Sequence, residues 1–123
     1  MIQILTVKDE KQRKSLCEKA GIEYDLSLSI IATFDEKDQP EYGAIFRYIG
    51  EIGEILWIEM NDDFDLTLGL GKSILSIMEL RGVKTVTMPL HYERLAKGLR
   101  FETKDEHFSV NLEGYFNCCC QHK

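Results

Sequence analysis

The sequence has few of the features that mark membrane, secreted or repetitive proteins. It contains only 2 prolines in 123 residues, and no apolar run approaches the ~18 residues that a membrane-spanning helix needs. The N-terminal apolar stretch is too short for a signal peptide, because Lys8 and Asp9 follow it at once. These absences favour a single soluble domain located in the cytoplasm.

Spaced cysteine pairs are also missing. The 4 cysteines are Cys17 and the adjacent trio at Cys118, Cys119 and Cys120, a distribution unlike a disulfide framework. The trio lies near His122, which invites a zinc interpretation, but closed tetrahedral zinc sites normally use cysteines separated by two or more residues. We therefore expect reduced thiols and no metal site.

Clustered basic residues are the third absence. The net charge is −6, whereas nucleic-acid-binding proteins need Lys and Arg patches that displace counterions. We expect neither a nucleic acid nor a membrane as a partner.

Hydrophobic patterning predicts ten elements in the order β-α-β-β-β-α-β-α-β-β. An apolar first strand precedes a polar helix that ends near Gly21. Three strands then form an antiparallel meander, and a crossover helix beginning near Leu70 makes residues 57–60 and 83–88 parallel neighbours. A short helix and a hairpin turning at residues 104–106 follow. The fold class is α/β (α+β), a mixed, mostly antiparallel sheet flanked by helices, with a domain at 1–114 and a cysteine-rich tail at 115–123.

The stretch "DFDLTLGLGKSIL" contains the one glycine motif with chemical interest. Read as a nucleotide P-loop, it lacks the first glycine, because Leu66 occupies that position. Free N–H groups at the start of a helix nevertheless attract anions, and Gly69 and Gly71 would let a phosphate approach the backbone. Alternatively, the two glycines only allow close packing of the helix.

The order of elements and the position of this glycine loop resemble the GNAT superfamily of acyl-coenzyme A dependent N-acyltransferases. In that family a Q/R-x-x-G-x-G/A loop follows the fourth strand, and here "LTLGLG" occupies its place with Leu66 as the departure. "AKGLRFE" occupies the place of the family's "LGF" signature, with Arg100 at the glycine. The resemblance covers about residues 2–112.

The resemblance implies acetyl transfer from acetyl-coenzyme A to an unidentified small-molecule or peptide amine, and it leaves a homodimer open. The base would be Glu59, on the fourth strand with Trp57 on the same face. The family's usual acid falls on Ala96, and Tyr92 lies one helical turn upstream, so it is the candidate substitute. The alternative is a non-catalytic GNAT-like protein that binds acyl-coenzyme A, another ligand or a protein partner. The coenzyme-binding candidates are Met60, Leu68, Gly69, Leu70, Gly71, Lys72 and Ser73.

Overall fold

The computed structural model describes residues 3–116 and confirms the predicted order of elements. The strands are β1 (Ile4–Thr6), β2 (Ser29–Phe34), β3 (Pro40–Ile49), β4 (Ile52–Ile58), β5 (Thr85–Pro89), β6 (Glu102–Lys104) and β7 (His107–Asn111). The helices are α1 (Glu10–Ala20), α2 (Phe64–Leu80) and α3 (Glu93–Gly98), with a 3-10 turn at Leu90–Tyr92 before α3. Among residues 3–116, no helix has the length and apolar character that crossing a bilayer requires.

All seven strands form one mixed sheet in the order β1-β2-β3-β4-β5-β7-β6. Every neighbouring pair is antiparallel except β4 and β5, which are parallel because the chain crosses over through α2. The predicted crossover and the β6–β7 hairpin are therefore confirmed.

Helices cover both faces of the sheet, because successive side chains along each strand point to opposite sides. On β3, Ile45 packs with Leu16 and Cys17 of α1. Its neighbours Ala44 and Phe46 belong instead to the larger core that α2 and α3 complete. The first helix ends as predicted, since Gly21 adopts a left-handed φ of 73° and caps it.

The β4–β5 pairing differs from the sequence prediction. The two strands pair where β4 begins, with Ile52 opposite Thr85 and Glu54 opposite Thr87, and residues 57–60 take no part in that register. A bulge explains why the strands separate: Ile45 faces Trp57, but the next residue, Phe46, faces Ile55. One extra residue in β4 bends the strand, so the C-terminal half of β4 leaves β5.

The predicted start of α2 near Leu70 is wrong. The helix begins at Phe64, six residues earlier, with Asp63 as its N-cap. The early turns are held by packing on α3, where Phe64 and Leu68 both lie against Gly98. The predicted end is confirmed, because the helix stops at Leu80 and Gly82 follows with a φ of 84°.

Candidate functional site

The separation of β4 from β5 creates an opening in the middle of the sheet, and Tyr92 occupies it. Beyond Glu54 and Thr87 the two strands share no further paired residues. Tyr92 follows β5 through the 3-10 turn, and its hydroxyl oxygen accepts a hydrogen bond of 3.0 Å from the backbone N–H of Ile58 on β4. That N–H points away from β3, so any ligand that added to this edge of β4 would compete with Tyr92 for it.

Tyr92 is poorly suited to act as an acid. Its side chain is buried, with 4% of the residue exposed. Burial raises the pKa of the phenol, and the hydrogen bond from Ile58 opposes that rise only in part. A phenol that holds its proton more tightly and has no access to solvent is a weak proton donor to a departing thiolate.

Glu59 follows the last residue of β4 and faces α1. Its carboxylate accepts a hydrogen bond of 3.2 Å from the N–H of Gly43 on β3 and forms an ion pair of 2.5 Å with Lys19 of α1. The side chain is 16% exposed. The Glu59 carboxylate is thus held on the α1 face of the sheet. This is the face that Trp57 also occupies, as predicted.

Glu59 and Tyr92 are not brought into contact. Within residues 3–116, the hydrogen bonds of Glu59 go to Gly43 and Lys19, whereas that of Tyr92 goes to Ile58. Tyr92 packs in the core on the α2 side of the sheet. The predicted base and acid therefore approach the sheet from opposite faces.

The N-terminus of α2 is occupied by the chain's own carboxylates. The Asp63 carboxylate accepts a hydrogen bond of 3.2 Å from the N–H of Leu66, and Asp65 lies in the first turn. Asn61 accepts a bond of 2.8 Å from the N–H of Asp63 and donates one of 3.2 Å to the buried Thr67. The N–H of Leu66 also bonds to the Asp63 carbonyl at 3.1 Å. The Asp63 carboxylate therefore occupies the place at this helix start where an anion would otherwise bind.

Gly69 and Gly71 lie inside α2, where backbone N–H groups bond to the preceding turn. Their small size matters for packing. A Cβ at Gly71 would lie 2.6 Å from Leu99 Cδ1, whereas one at Gly69 would meet only Ile4 Cδ1 at 3.7 Å. The packing alternative that the sequence left open thus accounts for Gly71.

The remaining coenzyme candidates are scattered. Leu70 is fully buried in the core and Leu68 packs against α3. Met60 lies just beyond β4 and is 49% exposed. Lys72 is exposed and Ser73 half-buried, both on the third turn of the helix rather than at its N-terminus.

The solved structures that the chain resembles include several acetyltransferases. The chain matches an acetyltransferase of the GNAT family from Staphylococcus aureus Mu50 with a TM-score of 0.65 and 5% identity, covering 91% of this chain and 99% of that one. The chain has the GNAT fold. It matches the ribosomal-protein-alanine N-acetyltransferase from Escherichia coli with a TM-score of 0.69 and 11% identity, covering 91% and 94% of the two chains.

A third GNAT-fold structure shows mutant forms of the spermidine/spermine N-acetyltransferase from Vibrio cholerae. Its TM-score is 0.66 at 9% identity, and the match covers 96% of this chain and 99% of that one. No protein-family model and no curated protein matches the sequence. At such low identity the likeness establishes the fold, and the named activities are those of the other proteins.

One backbone position that the sequence singled out has an unusual conformation. Arg100, which occupies the place of the family's glycine, has a φ of 64°, a left-handed conformation that favours glycine. Its guanidinium lies 4.2 Å from the centre of the Tyr115 ring and donates a bond of 3.1 Å to the Tyr115 carbonyl. Ala96, at the place of the family's acid, is buried in the core.

Two further predictions concern the cysteines. Cys17 lies on the buried face of α1, and burial raises the pKa of its thiol although Arg13 acts in the opposite direction. A buried thiol of raised pKa is a weak nucleophile. The cysteine trio at positions 118–120 lies outside the described residues.

Proposed function

We propose that this GNAT-fold chain is a non-catalytic binding protein that does not hold acyl-coenzyme A in the way the family resemblance implies. The observation that carries this proposal is the early start of α2 at Phe64. The family's glycine loop would leave free N–H groups around Gly69 and Gly71. Here those residues lie inside a helix, so their N–H groups are already bonded.

Charge supports the same proposal. Asp62 precedes the N-cap of α2 in the sequence, Asp65 lies in its first turn, and the carboxylate of Asp63 already caps the helix. A pyrophosphate would have to displace this cap and approach two further like charges. Because the helix dipole contributes only about half a positive charge, it cannot offset three carboxylates.

The β4–β5 opening also supports the proposal that the chain does not bind acyl-coenzyme A. Tyr92 uses the N–H of Ile58, and its ring is buried in the core. A ligand entering between the strands would need to expel a packed aromatic side chain. Removing such a side chain from a core costs about 3–5 kcal/mol, which is a large part of the ~8 kcal/mol available to a micromolar ligand.

Calorimetric titration with acetyl-coenzyme A tests the proposal. We expect no saturable heat at millimolar ligand. The matched variant is Asp63→Asn, which keeps a good helix cap but removes one negative charge. Micromolar binding to the natural chain would contradict the proposal, and millimolar binding that appears only in Asp63→Asn would show that charge closes the site.

Acyl-coenzyme A dependent N-acyl transfer is the second candidate. Glu59 favours it, because a partly exposed carboxylate directly follows Ile58, whose N–H faces the opening. In this candidate acetyl-coenzyme A is the donor, a small-molecule or peptide amine is the acceptor, and Glu59 removes a proton from the amine. Such an amine would first have to displace Lys19 from the carboxylate.

Thiol release from acetyl-coenzyme A distinguishes the two candidates. The acceptors would be spermidine and a short peptide with a free N-terminal alanine, in separate assays. We expect no release above that of a Glu59→Gln variant. Release that requires both an acceptor and Glu59 would establish the enzyme instead.

A further inference from the structure

A cleft of about 460 Å³ lies at the β1 edge of the sheet, away from the β4–β5 opening. It exists because β1 contains only three residues and stops at Thr6, while β2 begins at Ser29, beyond the reach of β1. The chain then turns into α1, and the end of α2 closes the opposite side. Strands β2 and β3 separate this cleft from β4, and its size falls in the range of small-molecule sites.

The rim of the cleft is basic although the protein is acidic. Lys8, Arg13 and Arg81 line it, and Glu10 is the one carboxylate among its lining residues. Glu10 is partly neutralised by Lys14, one helical turn away at 3.5 Å. A local excess of positive charge in a chain of net charge −6 favours an anionic ligand.

Arg13 fixes the wall of the cleft. Its guanidinium donates a bond of 2.6 Å to the carbonyl of Leu28 and one of 3.1 Å to the carbonyl of Val7. Its Nε lies 3.4 Å from the Tyr24 hydroxyl oxygen. These bonds join α1 to the segments before and after it, so the wall is preformed.

Lys8 and Arg81 have a different role. Both are exposed, and neither forms an ion pair with a carboxylate in the described part of the chain. Their charges are therefore available to a ligand, whereas most of the donors of Arg13 are already used.

The floor of the cleft is apolar. Ile31 and Phe46 lie beneath it but are only 2% and 1% exposed. The apolar surface open to a ligand therefore comes from the half-buried Ile77 and Tyr48 and from Leu26, which is 80% exposed, with hydroxyl groups on Tyr24 and Ser29 around it. A compact inorganic anion would leave this surface exposed to water. A carboxylate with an apolar body would cover it, at about 25 cal/mol for each Å² buried.

We propose that this cleft binds a small carboxylate with an apolar body, with Lys8 and Arg81 holding the carboxylate and Ile77 and the ring of Tyr48 contacting the body. The proposal holds whichever function the β4–β5 opening has, because the two sites share no residue.

Amide NMR titration with three probes of the same body tests this site. The probes are phenylbutyrate, phenylbutylamine and phenylbutanol. We expect phenylbutyrate to shift the amide signals of Ser29, Ile30, Tyr48 and Ile77, the alcohol to shift them more weakly, and the amine to leave them unchanged. Equal shifts from the amine and the carboxylate would overturn the proposal, and so would shifts confined to other residues.

Charge-reversal variants give the second readout. We expect Lys8→Glu combined with Arg81→Glu to weaken phenylbutyrate binding by about tenfold. The control is Lys104→Glu, a single reversal on the exposed edge strand β6 at the other side of the sheet, and it should leave the affinity unchanged. An equal loss in the control would show a non-specific charge effect and overturn the site. Binding of a hexaglutamate peptide in place of phenylbutyrate would overturn it in favour of a peptide surface.

Discussion

Two glycines that look alike in the sequence have different roles in α2. Gly69 faces open space apart from one contact at 3.7 Å, so a methyl group there fits. We expect Gly69→Ala to raise the free energy of unfolding by about 0.5–1 kcal/mol, because alanine stabilises a helix interior relative to glycine.

Gly71→Ala should have the opposite sign. The new methyl group would lie 2.6 Å from Leu99 Cδ1, inside a packed core, and overpacking typically costs about 1–3 kcal/mol. Urea denaturation of the two variants and the natural chain measures both changes. Destabilisation by Gly69→Ala would argue that the residue lies in a loop and not in the helix.

Tyr92 links the end of β5 to β4 through one buried hydrogen bond. We expect Tyr92→Phe to keep the ring packing but leave the N–H of Ile58 without a partner, at a cost of about 1–3 kcal/mol. Urea denaturation at neutral pH measures the loss. No change would show that water or another group satisfies this N–H.

The same residue predicts a pH dependence. Burial raises the pKa of Tyr92 in the folded chain, whereas an unfolded tyrosine ionises near ~10. Above that pH the unfolded chain binds fewer protons than the folded one, so stability falls as pH rises. The difference in unfolding free energy between the natural chain and Tyr92→Phe should therefore shrink above about pH 10. A difference that stays constant would contradict a buried, protonated phenol.

At the scale of elements, the start of α2 depends on its N-cap. We expect Asp63→Ala to destabilise the chain by about 0.5–2 kcal/mol, because the N–H of Leu66 loses its side-chain acceptor and keeps only the Asp63 carbonyl. Asp63→Asn should cost much less, since asparagine caps helices equally well. If urea denaturation finds both variants equally destabilised, charge and not capping is responsible.

The sequence contained the signals for this helix start, but the two glycines were interpreted as a loop. The buried residues of α2 are Thr67, Leu70, Gly71, Ile74, Leu75 and Met78, which follow the helical spacing without a break. Counting only large apolar residues begins that series at Leu70. Counting Thr67 and Gly71 as buried, and Asp63 as an N-cap, extends the helix to its true start.

Other elements were predictable because their signals are local. Runs of β-branched and aromatic residues on either side of a turn cluster identify β2 and β3, and Gly21 marks the end of α1. The bulge in β4 has no such mark, since it appears only as a change of register against β3. That bulge separates β4 from β5, so the opening occupied by Tyr92 could not be derived from the sequence.

Long-range features of the whole molecule were the least predictable. The hydrogen bond between Tyr92 and Ile58 joins residues far apart in the chain. The basic cleft is likewise lined by side chains from several strands and from two helices. In both cases no local sequence motif marks the residues involved. Their roles arise only when the sheet forms, because pairing of distant strands places them together.

The C-terminal limit of the domain is a property of the whole molecule that the fold makes testable. Residues 1–114 were predicted as the domain, and Tyr115 follows directly. Its hydroxyl donates a bond of 2.7 Å to the carbonyl of Leu99, and its ring packs edge-on against Phe116 at 5.0 Å. Both residues contact the main core, so we propose that the folding unit extends at least to residue 116.

Comparing a chain that ends at residue 114 with one that ends at residue 116 tests this limit. We expect the shorter chain to be less stable by about 3 kcal/mol or more, the cost of removing a packed aromatic side chain. In the longer chain, Tyr115→Phe removes only the hydroxyl and should cost about 1 kcal/mol. Equal urea midpoints for the two lengths would place the limit at 114, because the contacts of Tyr115 would then contribute nothing to folding.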